Sequence, residues 1–320
     1  MLQEQRIPVV IKAIRTESPK VKRITFTSFN GSSLPVFSAG AHIKTFIKHK
    51  ESTLERYYSL TNHPEDTRTY EIAVRISDES NGGSSYWHHT AREGEVIEIG
   101  YPKNHFPLSF KAKHHVFYGA GIGITPFLSM MVDLIKSRGG SFELHYAARN
   151  KEMCPFYSFI KKQYQKQCHF YFSEEGNRLQ KETLLEHRIG THVYFCGPHT
   201  FIHDFTNAAK KYGYPQTSIH SELFTPPKPQ KAAGFQVTLR DSGRSVLVEK
   251  EESLLDVLLS LGLNVPYSCK IGRCGTCELN VLEGKVEHYD HFLSEEQQAS
   301  HKIILSCVSR AKGEKLVLDC

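Results

Sequence analysis

Tyr267-Ser-Cys269-Lys-Ile-Gly-Arg-Cys274-Gly-Thr-Cys277-Glu278 puts three cysteines in one short loop with the spacing Cys-x4-Cys-x2-Cys, and Cys307 follows after 29 intervening residues. The chain has eight cysteines; the remaining four, Cys154, Cys168, Cys196 and Cys320, are scattered singly, so the C-terminal concentration points to a metal centre and not to a disulfide framework. Four thiolates so arranged fit a [2Fe–2S] cluster, with a tight loop supplying three ligands and a distant element the fourth. Gly272 and Gly275 let the backbone wrap closely and turn loop amides toward the sulfurs. A structural zinc site and four reduced core cysteines are the alternatives; zinc ribbons favour two short Cys-x2-Cys pairs, whereas three ligands share one loop here.

Outward from this loop, two strands, Phe235 to Leu239 and Ser245 to Glu249, flank the turn Asp241-Ser242-Gly243, and an apolar helix from Ser253 to Leu261 leads into the cysteines. Residues 234–320, with YSCKIGRCGTCELNVLEG and later LSCVSRAKGEKLVLD, resemble a plant-type ferredoxin domain. The resemblance implies a β-grasp fold and the ligands Cys269, Cys274, Cys277 and Cys307. Just before it, residues 225–233 carry three prolines within five positions and no periodicity, the composition of a semi-rigid interdomain linker. The last segment holds ten Lys and Arg against thirteen Asp and Glu, a balance of −3, which leaves +9 for residues 1–233 of a chain whose net charge is +6.

Upstream, residues 108–224 alternate strand and helix: Val116-Phe117-Tyr118, then Pro126 to Lys136, then Phe142 to Tyr146, and later Val193 to Cys196 before another helical stretch. That rhythm predicts a parallel α/β sheet. Gly119-Ala-Gly121-Ile-Gly123-Ile-Thr125-Pro126 lies between a strand and a helix, where glycines admit a pyrophosphate to the backbone and Pro126 suits the first helical turn. Position 124 is Ile, so the spacing is not G-x-G-x-x-G and the motif alone is weak.

Residues 1–107 alternate with period two at Val9–Ile11, Ile24–Thr27, His42–Ile47, Tyr70–Ile76 and Glu95–Ile99, separated by Gly, Pro, Asn and Asp turns, which reads as a nearly closed antiparallel β-barrel. Arg56-Tyr57-Tyr58-Ser59 falls on one of its strands, and Gly82-Gly83-Ser84-Ser85 precedes Tyr86-Trp87-His88-His89, a loop into a helical turn whose amides and hydroxyls suit one phosphate.

Together with Phe195-Cys196-Gly197-Pro198 and Glu222-Leu223-Phe224, these motifs resemble the ferredoxin reductase superfamily, and the order of barrel, nucleotide domain and ferredoxin resembles the phthalate dioxygenase reductase family, with its vanillate and carnitine oxygenase reductase relatives. That family implies FMN, NADH and a [2Fe–2S] cluster as carriers and a Rieske-type non-haem iron oxygenase as acceptor. It implies catalytic positions at Thr125, Cys196 and Phe224, beside the nicotinamide and the flavin edge. Flavin contacts fall to Arg56, Tyr58, Ser59, Val74, Arg75, Gly83, Ser84 and Ser85. Nucleotide contacts fall to Gly119, Gly121, Gly123, Pro126, Arg149, Gly197, Pro198 and Glu222. Relatives that use NADPH commonly carry Ser-Arg where this chain has Ser173-Glu174; a carboxylate repels a 2′-phosphate and accepts hydrogen bonds from a ribose hydroxyl, so Glu174 points to NADH. Two other readings stay in play: an FAD-dependent reductase serving a haem monooxygenase, and a non-enzymatic ferredoxin-like carrier.

With 39% apolar, 11% aromatic and 23% charged residues the chain is neither disordered nor fibrous. Its basic residues occur in pairs such as Lys161-Lys162 and not in long runs, which argues against nucleic acid. The first twenty residues hold no long apolar run, and the uncharged stretch Val116–Val132 is broken by three glycines and a proline, so a cytoplasmic protein without a membrane span is expected. His199-x3-His203 lacks a third partner and reads as solvated helix surface, and there is no Gly-x-Ser-x-Gly elbow.

Overall fold

Six strands make up the first sheet: β1 (Arg6–Ser18), β2 (Val21–Ser28), β3 (His42–His49), β4 (Ser52–Ser59), β5 (Tyr70–Arg75) and β6 (Val96–Gly100). Their order is β4-β3-β6-β1-β2-β5, every neighbour antiparallel. The edge strands then meet: Leu60 bridges Ile72, and the Thr61 amide donates to the Glu71 carbonyl at 2.9 Å. Closure removes both sheet edges and produces the barrel that the alternation predicts. Its core centres on Trp87, fully buried, edge-on to Phe26 at 5.8 Å and to Tyr58 at 6.2 Å. Trp87 arrives on a π-helical turn, Tyr86–Thr90, entered through the short helical turn α1 (Gly83–Ser85).

The computed structural model describes residues 5–49, 52–77, 82–138, 140–226 and 233–320. It divides into two compact units, Met1–Leu223 and Phe224–Cys320. The first contains the barrel and a second sheet, β7 (His114–Ala120), β8 (Phe142–Ala148), β9 (Cys168–Phe172), β10 (Thr191–Cys196) and β11 (Ile219–Glu222), all parallel in the order β11-β10-β7-β8-β9. Helices α2 (Thr125–Asp133), α3 (Tyr157–Tyr164) and α4 (His199–Lys211) connect and cover them. β10 is buried at all six positions, as a central parallel strand covered on both faces must be. The uncharged stretch Val116–Val132 is divided between β7, a glycine turn and α2, and among the described residues no helix is long and apolar enough to cross a membrane.

One apolar cluster runs from Val21, Ala39 and Phe106 on the barrel side to Phe117, Phe127 and Tyr194 on the α/β side. At the seam the Gly40 amide donates to the buried Ser129 hydroxyl of α2 at 3.1 Å. Gly40 sits at φ +87°, and a Cβ there would lie 2.2 Å from the Phe106 carbonyl oxygen, so only glycine permits this approach.

The second unit holds β12 (Phe235–Leu239), β13 (Ser245–Val248), α5 (Leu254–Ser260), β14 (Glu278–Glu283), β15 (Val286–Glu287), α6 (Glu295–Ser300), β16 (Ile303–Leu305), β17 (Arg310–Ala311) and β18 (Lys315–Leu318). The main sheet runs β13-β12-β18-β14-β16, with β12 and β18 parallel and the rest antiparallel, and α5 packs its leucines into that core. Ser253 caps α5 by accepting the Asp256 amide at 3.1 Å, a bond whose loss costs about 1 kcal/mol. The boundary between the units falls after Leu223, so Phe224 opens the second one. Most of the expected linker 225–233, residues 227–232, lies outside the described residues.

Candidate functional site

Strand order alone marks one candidate crevice. In the second sheet β7 is flanked by β10 on one side and β8 on the other, and the chain reverses direction of progress between β7 and β10; ligands of such sheets bind outside the carboxyl ends at that reversal. The sequence motifs converge there. Glu222, Cys196, Gly119 and Tyr146 are register partners across β11, β10, β7 and β8, at or near the strands' carboxyl ends. The two glycine turns interlock: a Cβ on Gly123 would fall 2.2 Å from the Cys196 carbonyl oxygen, and one on Gly197 would fall 2.8 Å from the Ala120 Cβ. Gly121 adopts φ +57° and its carbonyl accepts from the buried Tyr146 hydroxyl at 2.9 Å, which anchors the turn from below. Thr125 is buried and donates to the Ile122 carbonyl at 3.0 Å, with Pro126 in the first turn of α2. Cys196 is fully buried, and Pro198 precedes α4 as its N-cap.

At the far side of this edge, Arg149 and Asn150 follow β8 and Glu174 follows β9. The Glu174 amide donates to the Arg149 carbonyl at 2.9 Å, extending the strand pairing beyond Ala148 and Phe172. Asn150 Nδ2 donates to the Glu174 carboxylate at 2.6 Å. Arg149 and Glu174 are exposed, which leaves them accessible to a nucleotide.

A second place gathers the barrel motif. Arg56 on β4 lies across α1 so tightly that a Cβ on Gly83 would be 2.5 Å from its Nε. The Ser77 amide, just past β5, donates to Ser84 Oγ at 3.2 Å, which ties α1 to the segment that follows β5. Ser59 is buried, and burial pushes the Tyr58 hydroxyl up to about 12. Val74 is buried and its carbonyl accepts the His88 Nε2–H at 2.9 Å; Arg75 is exposed and Ser85 lies in α1. A guanidinium beside two hydroxyls, on a turn whose glycine has no room for a side chain, fits a phosphate group.

The third place is the cysteine loop. Cys269, Cys277 and Cys307 are buried and Cys274 is half-exposed. Gly272 and Gly275 hold φ +74° and +73°; a Cβ on Gly272 would strike Val308 at 2.6 Å and one on Gly275 the Phe292 ring at 2.4 Å. The thiols associate in two pairs. The Cys269 thiol, hydrogen-bonded to Cys274, lowers Cys274 to about 4, while Cys307 does the same for Cys277 and lowers it to about 7; the two donors are raised. The Arg273 amide and the Thr276 hydroxyl donate to Cys269 and Cys274 sulfurs at 3.4 and 3.2 Å. Two pairs of thiols fit two irons with two ligands each.

Residues 237–312 match the family described as "2Fe-2S iron-sulfur cluster binding domain". The carnitine monooxygenase reductase subunit of Acinetobacter baumannii is 38% identical over 98% of this chain and 98% of its own, and the vanillate O-demethylase oxidoreductase of Acinetobacter baylyi is 35% identical over 97% and 98%. The chain belongs to the oxygenase reductase family. Among solved structures, phthalate dioxygenase reductase, a modular structure for electron transfer from pyridine nucleotides to [2Fe–2S], aligns with a TM-score of 0.78 at 29% identity over 98% of both chains. An intact type IV self-sufficient cytochrome P450 monooxygenase aligns at 32% identity and a TM-score of 0.77, over 98% of this chain and 41% of that one.

Four residues to which the motifs assign no role border these three places. Tyr146 under the glycine turn, Asn150 against Glu174, Thr276 on Cys274 and Phe292 on Gly275 each act through contacts between distant segments or through a single short side chain. Only Asn150 left a local signal, as an Asx residue opening a turn, where its Oδ1 accepts the Met153 amide at 2.9 Å. Phe224 is 41% exposed. His199 and His203 lie exposed on α4, as solvated helix surface would.

Proposed function

We propose that this chain takes electrons from NADH and delivers them, one at a time, to a partner oxygenase of the Rieske non-haem iron type. The reading rests above all on one observation: the loop of Cys269, Cys274 and Cys277, with Cys307 brought beside it by the neighbouring Ser306, whose hydroxyl donates to the Cys277 carbonyl at 3.0 Å, falls within the stretch that matches the [2Fe–2S] domain, in a chain that also carries a nucleotide crevice and a Gly83–Ser85 turn suited to a phosphate. When bound, FMN would accept the electron pair of NADH and release it singly, and a [2Fe–2S] cluster held by Cys269, Cys274, Cys277 and Cys307 would carry single electrons outward.

The chain's own residues position and exclude. Gly119, Gly121, Gly123, Gly197 and Pro198 bring backbone to the pyrophosphate, and Arg149 and Glu174 hold the adenosine side. Thr125, Cys196 and Glu222 line the floor where the nicotinamide sits, and their burial keeps water from it. Arg56, Arg75, Ser84 and Ser85 hold the flavin phosphate, and Tyr58, Ser59 and Val74 its ring and ribityl chain. Cys269, Cys274, Cys277 and Cys307 hold the cluster. The domains on this reading are 1–107, 108–224 and 234–320, joined by 225–233, in the cytoplasm. The acidic last domain, at −3 beside +9, docks on a basic patch of the oxygenase and gains encounter rate from it.

A second acceptor class has support of its own. The β subunit of a heme-dependent oxidative N-demethylase from Ectopseudomonas mendocina is 39% identical over 98% of this chain, and the self-sufficient P450 carries a region of the same fold. The deciding experiment is an anaerobic visible spectrum before and after one equivalent of NADH, with the released flavin identified, followed by addition of an oxidised Rieske oxygenase or a haem monooxygenase. Bleaching of flavin and iron–sulfur bands with reoxidation by the Rieske protein supports the reading; reoxidation by the haem protein alone supports the second, and FAD in place of FMN removes the FMN assignment. A reconstituted protein that stays colourless overturns both.

A further inference from the structure

We infer that Asn150 is the residue that gives Glu174 its discrimination between a ribose 2′-hydroxyl and a 2′-phosphate, acting as a positioning residue and not as a ligand of the nucleotide. The inference rests on the NADH reading above and goes beyond it by naming what holds the carboxylate. Glu174 lies in a single 3-10 turn, Ser173–Glu175, which Gly176 ends at φ +76°; a side chain on so short a turn has several rotamers open to it.

One contact selects among them. Asn150 Nδ2 donates to Glu174 Oε2 at 2.6 Å, and among the described residues this is the one hydrogen bond of that carboxylate. The orientation of the Asn150 amide is itself fixed, because its Oδ1 accepts the Met153 amide at 2.9 Å and so turns the NH2 group toward Glu174. The backbone agrees with the side chains: the Glu174 amide donates to the Arg149 carbonyl at 2.9 Å, which holds the two turns at a constant separation. Oε2 is thereby occupied and Oε1 is left to accept from a ribose hydroxyl. The negative charge, held in place, meets a 2′-phosphate with repulsion it cannot escape by swinging away.

The geometry also says where the adenosine end lies. The nicotinamide end belongs at the reversal between β7 and β10, and Glu174 stands two strands away, at the end of β9. Two strand spacings are about 10 Å, within the reach of a dinucleotide laid along the sheet edge.

The test uses the full-length holoprotein and calorimetric binding of two probes, ADP-ribose and 2′-phospho-ADP-ribose, so that no step of electron transfer enters the readout. Asn150→Ser keeps an oxygen to accept the Met153 amide and removes the donor that reaches Glu174. We expect ADP-ribose to bind about fivefold more weakly and the preference for it over the phosphorylated probe to shrink by a similar factor, the effect of losing one charge-assisted hydrogen bond at an exposed site. Glu174→Gln shrinks the preference further, and the double variant equals Glu174→Gln alone, because Asn150 acts only through Glu174. If Asn150→Ser leaves the preference intact, whether or not both probes weaken together, Asn150 is a turn residue and the inference is overturned. If Glu174→Gln itself leaves the preference intact, the NADH reading fails instead, since the carboxylate then does not face the 2′ position.

Discussion

Gly123 and Cys196 touch across the reversal point of the parallel sheet, the glycine Cα so close that a Cβ built on it would stand 2.2 Å from the Cys196 carbonyl oxygen and 2.6 Å from the Gly197 nitrogen. Both obstacles are backbone, and backbone in a central strand cannot turn aside. Gly123→Ala therefore forces β7 and β10 apart at their carboxyl ends, at a cost of about 3 kcal/mol. The expected result is a lower melting temperature and loss of flavin reduction by NADH, with reduction by dithionite retained. Gly119→Ala is the control for stability four residues earlier, where the new Cβ meets the Phe127 ring at an ordinary 3.5 Å; it should keep nearly the parent's melting temperature. Equal behaviour of the two variants would contradict the interlock.

Gly83→Ala tests the barrel motif in the same way with a different outcome. The obstacle there is the Arg56 side chain, with Nε at 2.5 Å and Cγ at 2.8 Å, and a side chain can move. Stability should change by less than about 1 kcal/mol, while Arg56 leaves its place and flavin is held several-fold more weakly. Fluorescence titration of the flavin-free protein measures it. Unchanged flavin affinity would remove Arg56 from the phosphate site.

How much of this could be read from the chain follows from which interactions are local. The barrel strands alternate every second residue, and the cysteine spacing and the Gly119–Pro126 turn are contiguous, so all three sites announce themselves. Strand β9, with its half-buried CHFYF pattern on a sheet edge, does not, because an edge strand needs neither continuous apolarity nor clean alternation. The small strands β14 to β18 owe their pairing to partners up to eighty residues away, as when Val237 pairs with Leu316. The barrel's closure at Leu60 and Ile72 is likewise a product of tertiary pairing.

Acid should weaken the first unit through its buried histidines. Burial lowers His42 to about 3, with His105 and Lys103 adding to the effect, and burial lowers His187 to about 4 against the pull of Glu143. Both fold neutral and would charge near 6.5 when unfolded, so the stability they contribute is complete above pH 6.5 and is lost as pH falls toward their folded values. Glu143, hydrogen-bonded to His145 and lowered to about 2, contributes above pH 4.5 and loses its share as pH falls through 2. Urea midpoints should therefore drop between pH 6.5 and 4, and His42→Phe should flatten that slope. A midpoint constant across this range would show that the unfolded state binds no more protons than the folded one.

The cysteine loop separates ligation from tuning. Cys274→Ser removes one member of a thiol pair and should abolish electron transfer beyond the flavin while NADH-driven reduction of an artificial dye continues; equal loss of both would mean that the cluster is needed for folding. Thr276→Val keeps all four thiols and removes only the hydroxyl that donates to Cys274 Sγ at 3.2 Å. A donor at a cluster sulfur favours the more negative, reduced state, so its loss should lower the one-electron potential, by about 40 mV if the bond is worth about 1 kcal/mol. Redox titration followed by the electron paramagnetic resonance of the reduced protein reads this directly. A potential that stays put or rises would mean that the Thr276 hydroxyl does not donate to the ligand in the assembled site.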